Sequence, residues 1–464
     1  GLTAGERYDQ WWKINRGEYP IVVGSRSAIF SPQMELGLIV IDEEHEWTYK
    51  QIDPEPRYHT RDVAIKLAKL TNATLLMGSA SPDVDTRYRA DAGMHNLLLL
   101  PDRISESADG LTESRNLAEV EIVDVKEELK QGHDHFLSRK LLNSLKECLE
   151  SGSKALLFMN RRGSASFLRC ESCGLGVKCR RCDIHMTYHE TYKYKNQQHR
   201  EALICHHCNN RRNVPDKCLG CKEGKLNKYG IGTQGIASSV KSLFPGTKVI
   251  TWDRDTSKKA VDVQSILDDF ETPGPAVLIG TQIIAKGLHF PEITLVGVVS
   301  ADLGLSIPDF RASERTFQLI CQVAGRAGRG ERPGRVIIQT YQPDNYAISC
   351  AASQDFESFY NTEIQYRRNL KTPPFSQIVK LNYSHSNSSF SEKEALRVAD
   401  FLRYQRDIRG ISNLRIMGPT PSYPFKLRGK YRWNINIAGI EPNKFLEDLP
   451  LPRGWYVDVD PVGP

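Results

Sequence analysis

Eight of the eleven cysteines in this 464-residue chain lie between positions 170 and 221, in four Cys-x-x-Cys pairs. An odd total cannot close completely into intramolecular disulfides, and disulfide scaffolds are typical of short secreted chains. Paired Cys-x-x-Cys in a long chain indicates zinc, and eight thiolates are enough for two tetrahedral sites with Zn–S bonds of about 2.3 Å. A cluster of reduced or redox-active thiols is the alternative. The eight are Cys170, Cys173, Cys179, Cys182, Cys205, Cys208, Cys218 and Cys221.

Composition narrows the class of protein. The chain is 40% hydrophobic and 25% charged, which is the balance of a soluble protein with buried cores and excludes disordered, coiled-coil and collagen-like chains. No apolar run approaches the roughly 18 residues of a membrane helix, and the first residues do not resemble a signal peptide. We therefore expect a soluble, cytoplasmic protein without a membrane partner. The net charge of +6 permits nucleic-acid binding without indicating it, since local clustering decides that.

Short apolar runs alternate with helical patterns in two blocks, which predicts parallel α/β sheets. In the first block a helix over 62–70 separates two of the predicted strands, and the cysteine cluster interrupts the second block after its first strand. A helix over 353–370 and a smaller α+β domain are predicted to follow. The predicted strands are 21–23, 38–41 and 74–77, then 155–159, 248–252, 276–279, 295–299 and 336–338, and finally 378–383, 433–437 and 455–459.

An apolar strand over 38–41 runs directly into the acidic box Asp42, Glu43, Glu44 and His45. Ligands of open parallel sheets bind at the carboxyl edge of the strands. An aspartate there can hold Mg²⁺ on nucleotide phosphates, and a neighbouring glutamate can orient or activate water. The alternative is a buried strand that ends in an acidic loop.

The second block ends in the octapeptide Gln-Val-Ala-Gly-Arg-Ala-Gly-Arg, which begins at Gln322. Arg326 and Arg329 are spaced i and i+3, so they share one face of a helix. A guanidinium can neutralise charge that develops on a transferring phosphate. A basic, solvated helix end is the alternative. The position of the octapeptide after a strand that ends in Gly280 and Thr281 favours the functional interpretation.

Together these motifs resemble the PriA family, the primosomal protein N-prime DNA helicases of superfamily 2. The resemblance extends over nearly the whole chain, and the cysteine array within the second lobe is specific to this family among helicases. The family's usual Gly-Ser-Ala-Thr-Pro has Ser81 in place of threonine here, which keeps the hydroxyl. The matching segments are 24–28, 42–45, 78–82, 160–163, the cysteine cluster, 280–291, 322–329 and 429–433.

The resemblance implies two RecA-like α/β lobes, the first incomplete, with a zinc-binding insertion in the second lobe and a C-terminal α+β domain. The implied boundaries are 1–105 for lobe 1, 106–168 for the linker and start of lobe 2, 169–225 for the insertion, 226–345 for the rest of lobe 2 and 346–464 for the last domain. The resemblance also implies two structural zinc sites. By this resemblance the outer Cys-x-x-Cys pairs would form one site and the inner pairs would form the other.

The implied function is that of a replication-restart, ATP-dependent 3′→5′ helicase. Its substrates would be branched, forked and single-stranded DNA, and it would promote replisome reloading. Single-strand-binding protein and other primosome and helicase-loading proteins are the implied partners. In the ATP and Mg²⁺ site, Asp42 would hold the metal, Glu43 would polarise the attacking water, and Gln322 would contact the γ-phosphate region. Arg326 and Arg329 would stabilise transition-state charge, and Gly280 would line the nucleotide site.

Aromatic and cationic side chains interleave after the acidic box, which suits stacking on bases and contact with phosphates. The family has an aromatic-rich loop here that is implied to couple DNA binding to hydrolysis. A surface loop with Trp47 packed inward is the alternative. The predicted DNA contacts are Arg26, Trp47, Tyr49, Lys50, Arg61, Arg161 and Thr281.

The chain contains no Gly-x-x-x-x-Gly-Lys-Ser/Thr phosphate loop. The family carries that loop upstream of the point where this chain begins, together with N-terminal DNA-binding domains. Residue 1 is therefore expected to be a truncation point, or the chain is a degenerate form. A DNA-binding primosome scaffold without ATPase activity is accordingly the competing function, and we expect these 464 residues alone to be inactive as an ATPase.

Overall fold

The computed structural model describes residues 3–100, 104–106, 112–114, 118–133, 135–159, 168–180, 185–189, 202–205, 210–228, 232–252, 260–281, 292–307, 309–328 and 332–463. Within them the helices are α1 (Ala4–Asn15), α2 (Thr60–Thr71), α3 (Val84–Asp91), α4 (Val125–Lys130), α5 (Arg139–Glu150), α6 (Thr233–Leu243), α7 (Ala260–Glu271), α8 (Asp302–Leu305), α9 (Ala312–Ala324), α10 (Tyr346–Ala352), α11 (Phe356–Leu370), α12 (Ser388–Ile408) and α13 (Pro442–Glu447). Two 3-10 helices cover Arg26–Phe30 and Trp47–Tyr49.

The described strands are β1 (Leu38–Ile41), β2 (Thr74–Met77), β3 (Ile104–Glu106), β4 (Thr112–Ser114), β5 (Glu119–Asp124), β6 (Lys154–Met159), β7 (Leu168–Cys170), β8 (Thr187–His189), β9 (Ala202–Ile204), β10 (Arg211–Asn213), β11 (Leu226–Lys228), β12 (Lys248–Trp252), β13 (Ala276–Gly280), β14 (Ile293–Ser300), β15 (Arg335–Thr340), β16 (Gln377–His385), β17 (Arg415–Leu427), β18 (Lys430–Gly439) and β19 (Trp455–Val459).

Lobe 2 is built on a six-stranded parallel sheet in the order β12-β13-β6-β14-β15-β5. Every residue of the central strand β6 is buried, because helices cover both faces of the sheet and the strand has no solvent side. Leu157 packs with α5 and α6 on one face, while Leu156 and Phe158 pack with α9 and α10 on the other. This is the RecA-like lobe that the sequence predicts.

Lobe 1 contributes the parallel pair β1 and β2, with Leu38 opposite Thr74. Ile39 and Ile41 of β1 are buried against Ala64 and Ala68 of α2, and Leu38 is exposed. The alternation along β1 therefore sets which face of the strand meets the helix.

The cysteine-rich insertion contains the antiparallel sheets β10-β9-β8 and β11-β7 around its own small apolar core. The C-terminal domain is the antiparallel sheet β17-β18-β16-β19, covered by α12 and α13. Among the residues that the structure describes, no helix combines the length and the apolar composition needed to cross a membrane.

Most of the predicted elements are present, including all five strands of the second block and the helix over 62–70, which lies inside α2. The predicted strand over 21–23 is wrong: those residues form no regular element, and Ile21 and Val23 are exposed. The predicted helix over 353–370 begins only at Phe356, because Gln354 adopts a φ of 54° and Asp355 accepts a hydrogen bond from the Ser358 amide.

Candidate functional site

A cleft of about 690 Å³ separates lobe 1 from lobe 2. Its walls combine the predicted acidic box with the end of α9, so residues far apart in the sequence meet at one site. The volume falls within the range of small-molecule and cofactor sites. The lining residues are Gly24, Ser25, Arg26, Ser27, Asp42, Glu43, Glu46, Thr48, Tyr49, Gln51, Gln322 and Arg326.

Asp42 and Glu43 stand at the carboxyl end of β1. The burial alternation along β1 ends with Asp42 exposed on the cleft side. Glu43 has a φ of 48°, and its amide donates to the Asp42 carboxylate at 3.0 Å. One Glu43 carboxylate oxygen is buried and accepts no hydrogen bond among the described residues, and it lies 3.6 Å from Nδ1 of His45. The exposed Asp42 carboxylate, beside a Glu43 carboxylate oxygen that accepts no hydrogen bond, fits a hydrated divalent cation and a water that must lose a proton.

His45 connects the two lobes directly. Its Nδ1 lies 2.6 Å from the Ser79 hydroxyl of lobe 1, and its Nε2 lies 2.8 Å from Nε2 of Gln322 in lobe 2. An amide nitrogen can only donate, so the His45 Nε2 accepts and the ring proton lies on Nδ1, where it can donate to Ser79. One imidazole thereby joins the acidic box, the Gly-Ser-Ala-Ser-Pro segment and the octapeptide helix.

The buried side chain of Glu44 holds the carboxyl end of β1 against α2 and α3 by hydrogen bonds. Its buried carboxylate accepts hydrogen bonds from the Arg61 guanidinium at 2.9 Å, the Thr86 hydroxyl at 2.9 Å and the Asp83 amide at 2.8 Å. Burial alone would raise the pKa of Asp83, but the Arg61 charge holds that pKa below its ordinary value. Sequence reasoning missed Glu44 as a structural residue, because the two-residue alternation that buries Ile39 and Ile41 points to Glu43 as the next inward side chain.

The loop after the acidic box contacts Asp42 through Tyr49. The Tyr49 hydroxyl donates to the Asp42 backbone carbonyl at 2.7 Å, and burial followed by the Asp42 charge raises the pKa of that phenol. Arg26 donates to the Thr48 carbonyl at 3.2 Å from the opposite side. Trp47 is half-buried and lines a second cavity between the lobes together with His45. The loop is therefore joined to the acidic box by hydrogen bonds.

Two of the predicted DNA contacts are enclosed by protein. Lys50 is 2% exposed and forms an ion pair with Asp458 of the C-terminal domain. Arg61 is 8% exposed and pairs with Glu44. Neither cation presents its charge to solvent, because its partners lie inside the fold, so we do not carry either residue forward as a DNA contact.

Of the remaining predicted site residues, three are located by the structure and two lie outside the residues that it describes. Gly280 is the last residue of β13, Thr281 is buried just beyond it, and Arg326 lines the cleft. Arg161 and Arg329 lie outside the described residues.

The outer cysteine pairs meet in the insertion. The thiol sulfurs of Cys170, Cys173, Cys218 and Cys221 all lie within 4.8 Å of one another. The Cys170–Cys221 and Cys173–Cys218 sulfurs are 3.6 and 3.5 Å apart, close to the separation of about 3.8 Å expected for tetrahedral ligands with Zn–S bonds of about 2.3 Å. These four residues therefore fit a structural zinc ion.

Backbone amides donate hydrogen bonds to sulfurs of this site. The amides of Cys173, Gly220 and Gly224 donate to Cys170, Cys218 and Cys221 at 3.3–3.4 Å. Hydrogen bonds to the thiolates of a metal site are the usual means of orienting them. Of the inner pairs, Cys179 and Cys205 are buried in the core of the insertion, while Cys182 and Cys208 lie outside the described residues. The second zinc site stays a prediction.

A family model described as the helicase conserved C-terminal domain matches residues 233–331, from the start of α6 to just beyond the octapeptide. The chain is 40% identical to "Replication restart protein PriA" of Bacillus subtilis over 437 residues, which is 94% of this chain and 52% of that protein. It is 38% identical to the protein of the same name from Rickettsia conorii, with 95% and 66% coverage. The chain thus spans about half to two thirds of the length of the curated relatives it matches.

Solved helicase structures are more distant. A Saccharomyces cerevisiae Dbp5 structure bound to RNA and ADP BeF3 is similar at a TM-score of 0.35 and 13% identity, covering 80% of this chain and 68% of Dbp5. A structure of RecG bound to a three-way DNA junction is similar at a TM-score of 0.35 and 11% identity, covering 76% of this chain and 34% of RecG.

Proposed function

Because the chain belongs to the PriA family of replication restart proteins, which are superfamily 2 helicases, we propose that it forms the motor lobes of an ATP-dependent 3′→5′ DNA helicase. The motor would act at branched DNA and stalled forks and would promote replisome reloading. The observation that carries the proposal is the 2.8 Å contact between His45 of lobe 1 and Gln322 of lobe 2, at a cleft that also holds Asp42, Glu43 and Arg326.

Each cleft residue has a role in this proposal. Asp42 would hold Mg²⁺, which neutralises phosphate charge when it is bound. The Glu43 oxygen that accepts no hydrogen bond is suited to accept a proton from the attacking water. Gln322 and Arg326 approach from lobe 2, where an arginine can stabilise developing phosphate charge, and by resemblance Arg329 would act beside Arg326. Hydrolysis at residues drawn from two lobes would couple the chemistry to lobe movement.

DNA would reach the same site through the aromatic loop. Trp47, Tyr49 and Arg26 are the proposed contacts, with Arg161 on lobe 2. Thr281 is as enclosed as Arg61, so it is not carried forward either. Because the Tyr49 hydroxyl binds the Asp42 carbonyl, a base that stacks on Tyr49 would act on the backbone of the proposed Mg²⁺ ligand. Single-strand-binding protein, primosome and helicase-loading partners and a cytoplasmic location belong to this proposal and follow from the family.

The 464 residues contain no phosphate loop, so we propose that this chain alone neither hydrolyses ATP nor unwinds DNA. The same fact supports the second candidate, a non-motor primosome scaffold. The two are separated by an extended protein, in which the phosphate-loop segment implied by the family resemblance precedes residue 1.

The test is strand displacement from a forked DNA with a 3′ single-stranded arm. We expect the extended protein to displace the strand with ATP, and Asp42→Asn to abolish displacement while fork binding persists. Asp400→Asn, at a carboxylate that is 72% exposed on α12, is the matched control and should unwind normally. An extended protein that binds forks but never unwinds them would support the scaffold.

A further inference from the structure

One face of α9 carries three polar residues at four-residue spacing, Glu314, Gln318 and Gln322. Side chains at i, i+4 and i+8 line one side of a helix. Each of the three contacts a different group of lobe 1. Gln322 meets His45 at 2.8 Å, Gln318 donates to the Ser81 carbonyl at 3.3 Å, and Glu314 accepts from the Val84 amide at 2.7 Å. This polar face of α9 is therefore a continuous interlobe contact.

Glu314 ends that face and is the most enclosed of the three. One carboxylate oxygen accepts the Val84 amide at the start of α3, and the other accepts Nη2 of Arg367 at 2.6 Å. Arg367 belongs to α11, which follows lobe 2, and it is 2% exposed. Its other donors reach Glu363 at 2.7 Å and Asp85 of lobe 1 at 3.4 Å. A single guanidinium thus joins lobe 1, lobe 2 and α11.

Helix α11 also holds α3 of lobe 1 by a second set of contacts. Arg87 of α3 pairs with Glu357 at 3.0 Å and lies over the Tyr360 ring at 5.0 Å. The position of α3, and with it the Val84 amide and the Ser81 carbonyl, is therefore fixed from α11 as well as from α9.

We propose that Glu314 and Arg367 are positioning residues that hold lobe 1 against the polar face of α9 and thereby place Gln322 on His45. Through the contact of its Arg367 with Glu314 of α9, helix α11 holds the two lobes at a fixed distance. The consequence for hydrolysis rests on the proposed function, whereas the positioning itself is a property of this chain. Arginine suits the role because its planar fork serves several carboxylates at once, which a lysine cannot do.

The experiment uses NMR to follow the carbon–proton resonance of the His45 ring, because this ring contacts Gln322 at the other end of the polar face of α9. The sample is the 464-residue chain, labelled at its histidines and loaded with zinc. His45→Asn assigns the resonance among the twelve histidines, and Gln322→Ala defines its position once the lobe contact is lost. Glu314→Gln replaces one of the two acceptor oxygens by a donor, so either Arg367 or the Val84 amide loses its acceptor. We expect it and Arg367→Lys to lower the thermal melting temperature, because both residues belong to a buried ion-pair network. Well below that temperature, both should move the His45 resonance most of the way to the Gln322→Ala position.

Controls separate positioning from general destabilisation. Arg368→Lys, at the exposed neighbour of Arg367, and Glu150→Gln, at an exposed glutamate of α5, should leave the resonance in place. An unmoved resonance in both Glu314→Gln and Arg367→Lys would overturn the proposal. So would a movement that the two controls reproduce.

A second readout concerns hydrolysis. In the extended protein the same two variants should lower ATP turnover by about 10–100-fold at unchanged DNA affinity, as small misplacements of reacting groups do. Full turnover in both variants would overturn the link to hydrolysis. An extended wild-type protein without turnover would refute the proposed function, while the resonance would still decide the positioning.

Discussion

The ammonium group of Lys50 lies 3.0 Å from a carboxylate oxygen of Asp458, so the aromatic loop of lobe 1 is joined to the last strand of the C-terminal domain by an ion pair. The same ammonium donates to the Arg57 carbonyl at 2.9 Å and to the Val459 carbonyl. Tyr49, the neighbour of Lys50, binds the Asp42 carbonyl. The C-terminal domain is thereby connected to the cleft through two adjacent residues.

Lys50→Met tests whether this ammonium is structural. It would leave Asp458 charged and largely enclosed, and removing one partner of a buried ion pair costs about 3–5 kcal/mol. We expect a lower melting temperature and faster amide hydrogen exchange over 47–59 and 455–459. Affinity for single-stranded DNA should change little.

The matched control is Lys69→Met, at an exposed lysine of α2. It should match the wild type in hydrogen exchange at both segments. A Lys50→Met protein with normal stability and sharply weakened DNA binding would restore the interpretation of Lys50 as a DNA contact.

The case of Lys50 shows what sequence alone could and could not predict. Local pattern was enough for β6 and for the presence of a helix at α2, because an apolar run and a helical periodicity are properties of nearby residues. The buried face of α2 was not predictable in the same way, since Ala64 and Ala68 are buried while Leu70 is exposed. Whether a lysine among aromatic residues is exposed or buried depends on which distant segment packs on it. The local sequence around Lys50 does not indicate that Asp458 will be its partner. The strand β5 was missed for a related reason, since its charged residues at 119 and 121 become compatible with a parallel edge only beside β15.

The candidate site likewise contains residues that the sequence predicts and contacts that it does not. Asp42, Gln322 and Arg326 were predicted from motifs, and the cleft brings them together. The contacts that hold the cleft, from Glu44, Gln318 and Glu314, join segments that no spacing rule relates. The outer four cysteines could be paired in advance only through resemblance to a family.

Zinc content tests the insertion. We predict two zinc ions per chain, one of them at the outer four cysteines. Cys218→Ser should lose one zinc and disorder the insertion while lobe 2 stays folded, since lobe 2 has its own apolar core. Elemental analysis after purification without chelator is the measurement. Cys350→Ser, outside the cluster, should keep full zinc, and one zinc or none in the wild type would refute the two-site prediction.

Two substitutions separate the functions of the aromatic loop. Trp47→Ala should cost about 1–3 kcal/mol of single-stranded DNA affinity if the ring stacks on a base. Tyr49→Phe keeps its ring and loses only the hydrogen bond to the Asp42 carbonyl, so it should bind DNA normally. In the extended protein, Tyr49→Phe should weaken DNA stimulation of ATP turnover. Unchanged affinity with a lower melting temperature in Trp47→Ala would show that Trp47 is a packing residue.

His59 gives the fold a defined dependence on pH. Burial, followed by the Arg61 charge, lowers the pKa of His59 to about 3. The unfolded chain then binds more protons than the folded chain below the ordinary histidine pKa of about 6.5, so stability falls as pH drops from about 6.5 towards 3. The contribution at pH 5 is on the order of 1–2 kcal/mol.

His59→Asn keeps an acceptor for the Arg61 amide and removes the titrating group. Melting temperatures at pH 7.5 and pH 5 should therefore differ less in His59→Asn than in the wild type. His385→Asn is the control, because His385 also accepts a backbone amide through Nδ1. Equal acid sensitivity in the wild type and in His59→Asn would contradict the lowered pKa of His59 in the fold.

The most direct test of the proposed motor is the rate of ATP hydrolysis with and without forked DNA, measured for the 464-residue chain and for the extended protein. We predict no turnover by the chain alone and DNA-stimulated turnover by the extended protein. In the extended protein Arg326→Ala should reduce turnover by about 10³-fold or more with DNA binding retained, as loss of an arginine finger does. Arg397→Ala, at an exposed arginine of α12, should be neutral. Robust turnover by the 464 residues alone, or full turnover by extended Arg326→Ala, would contradict the account.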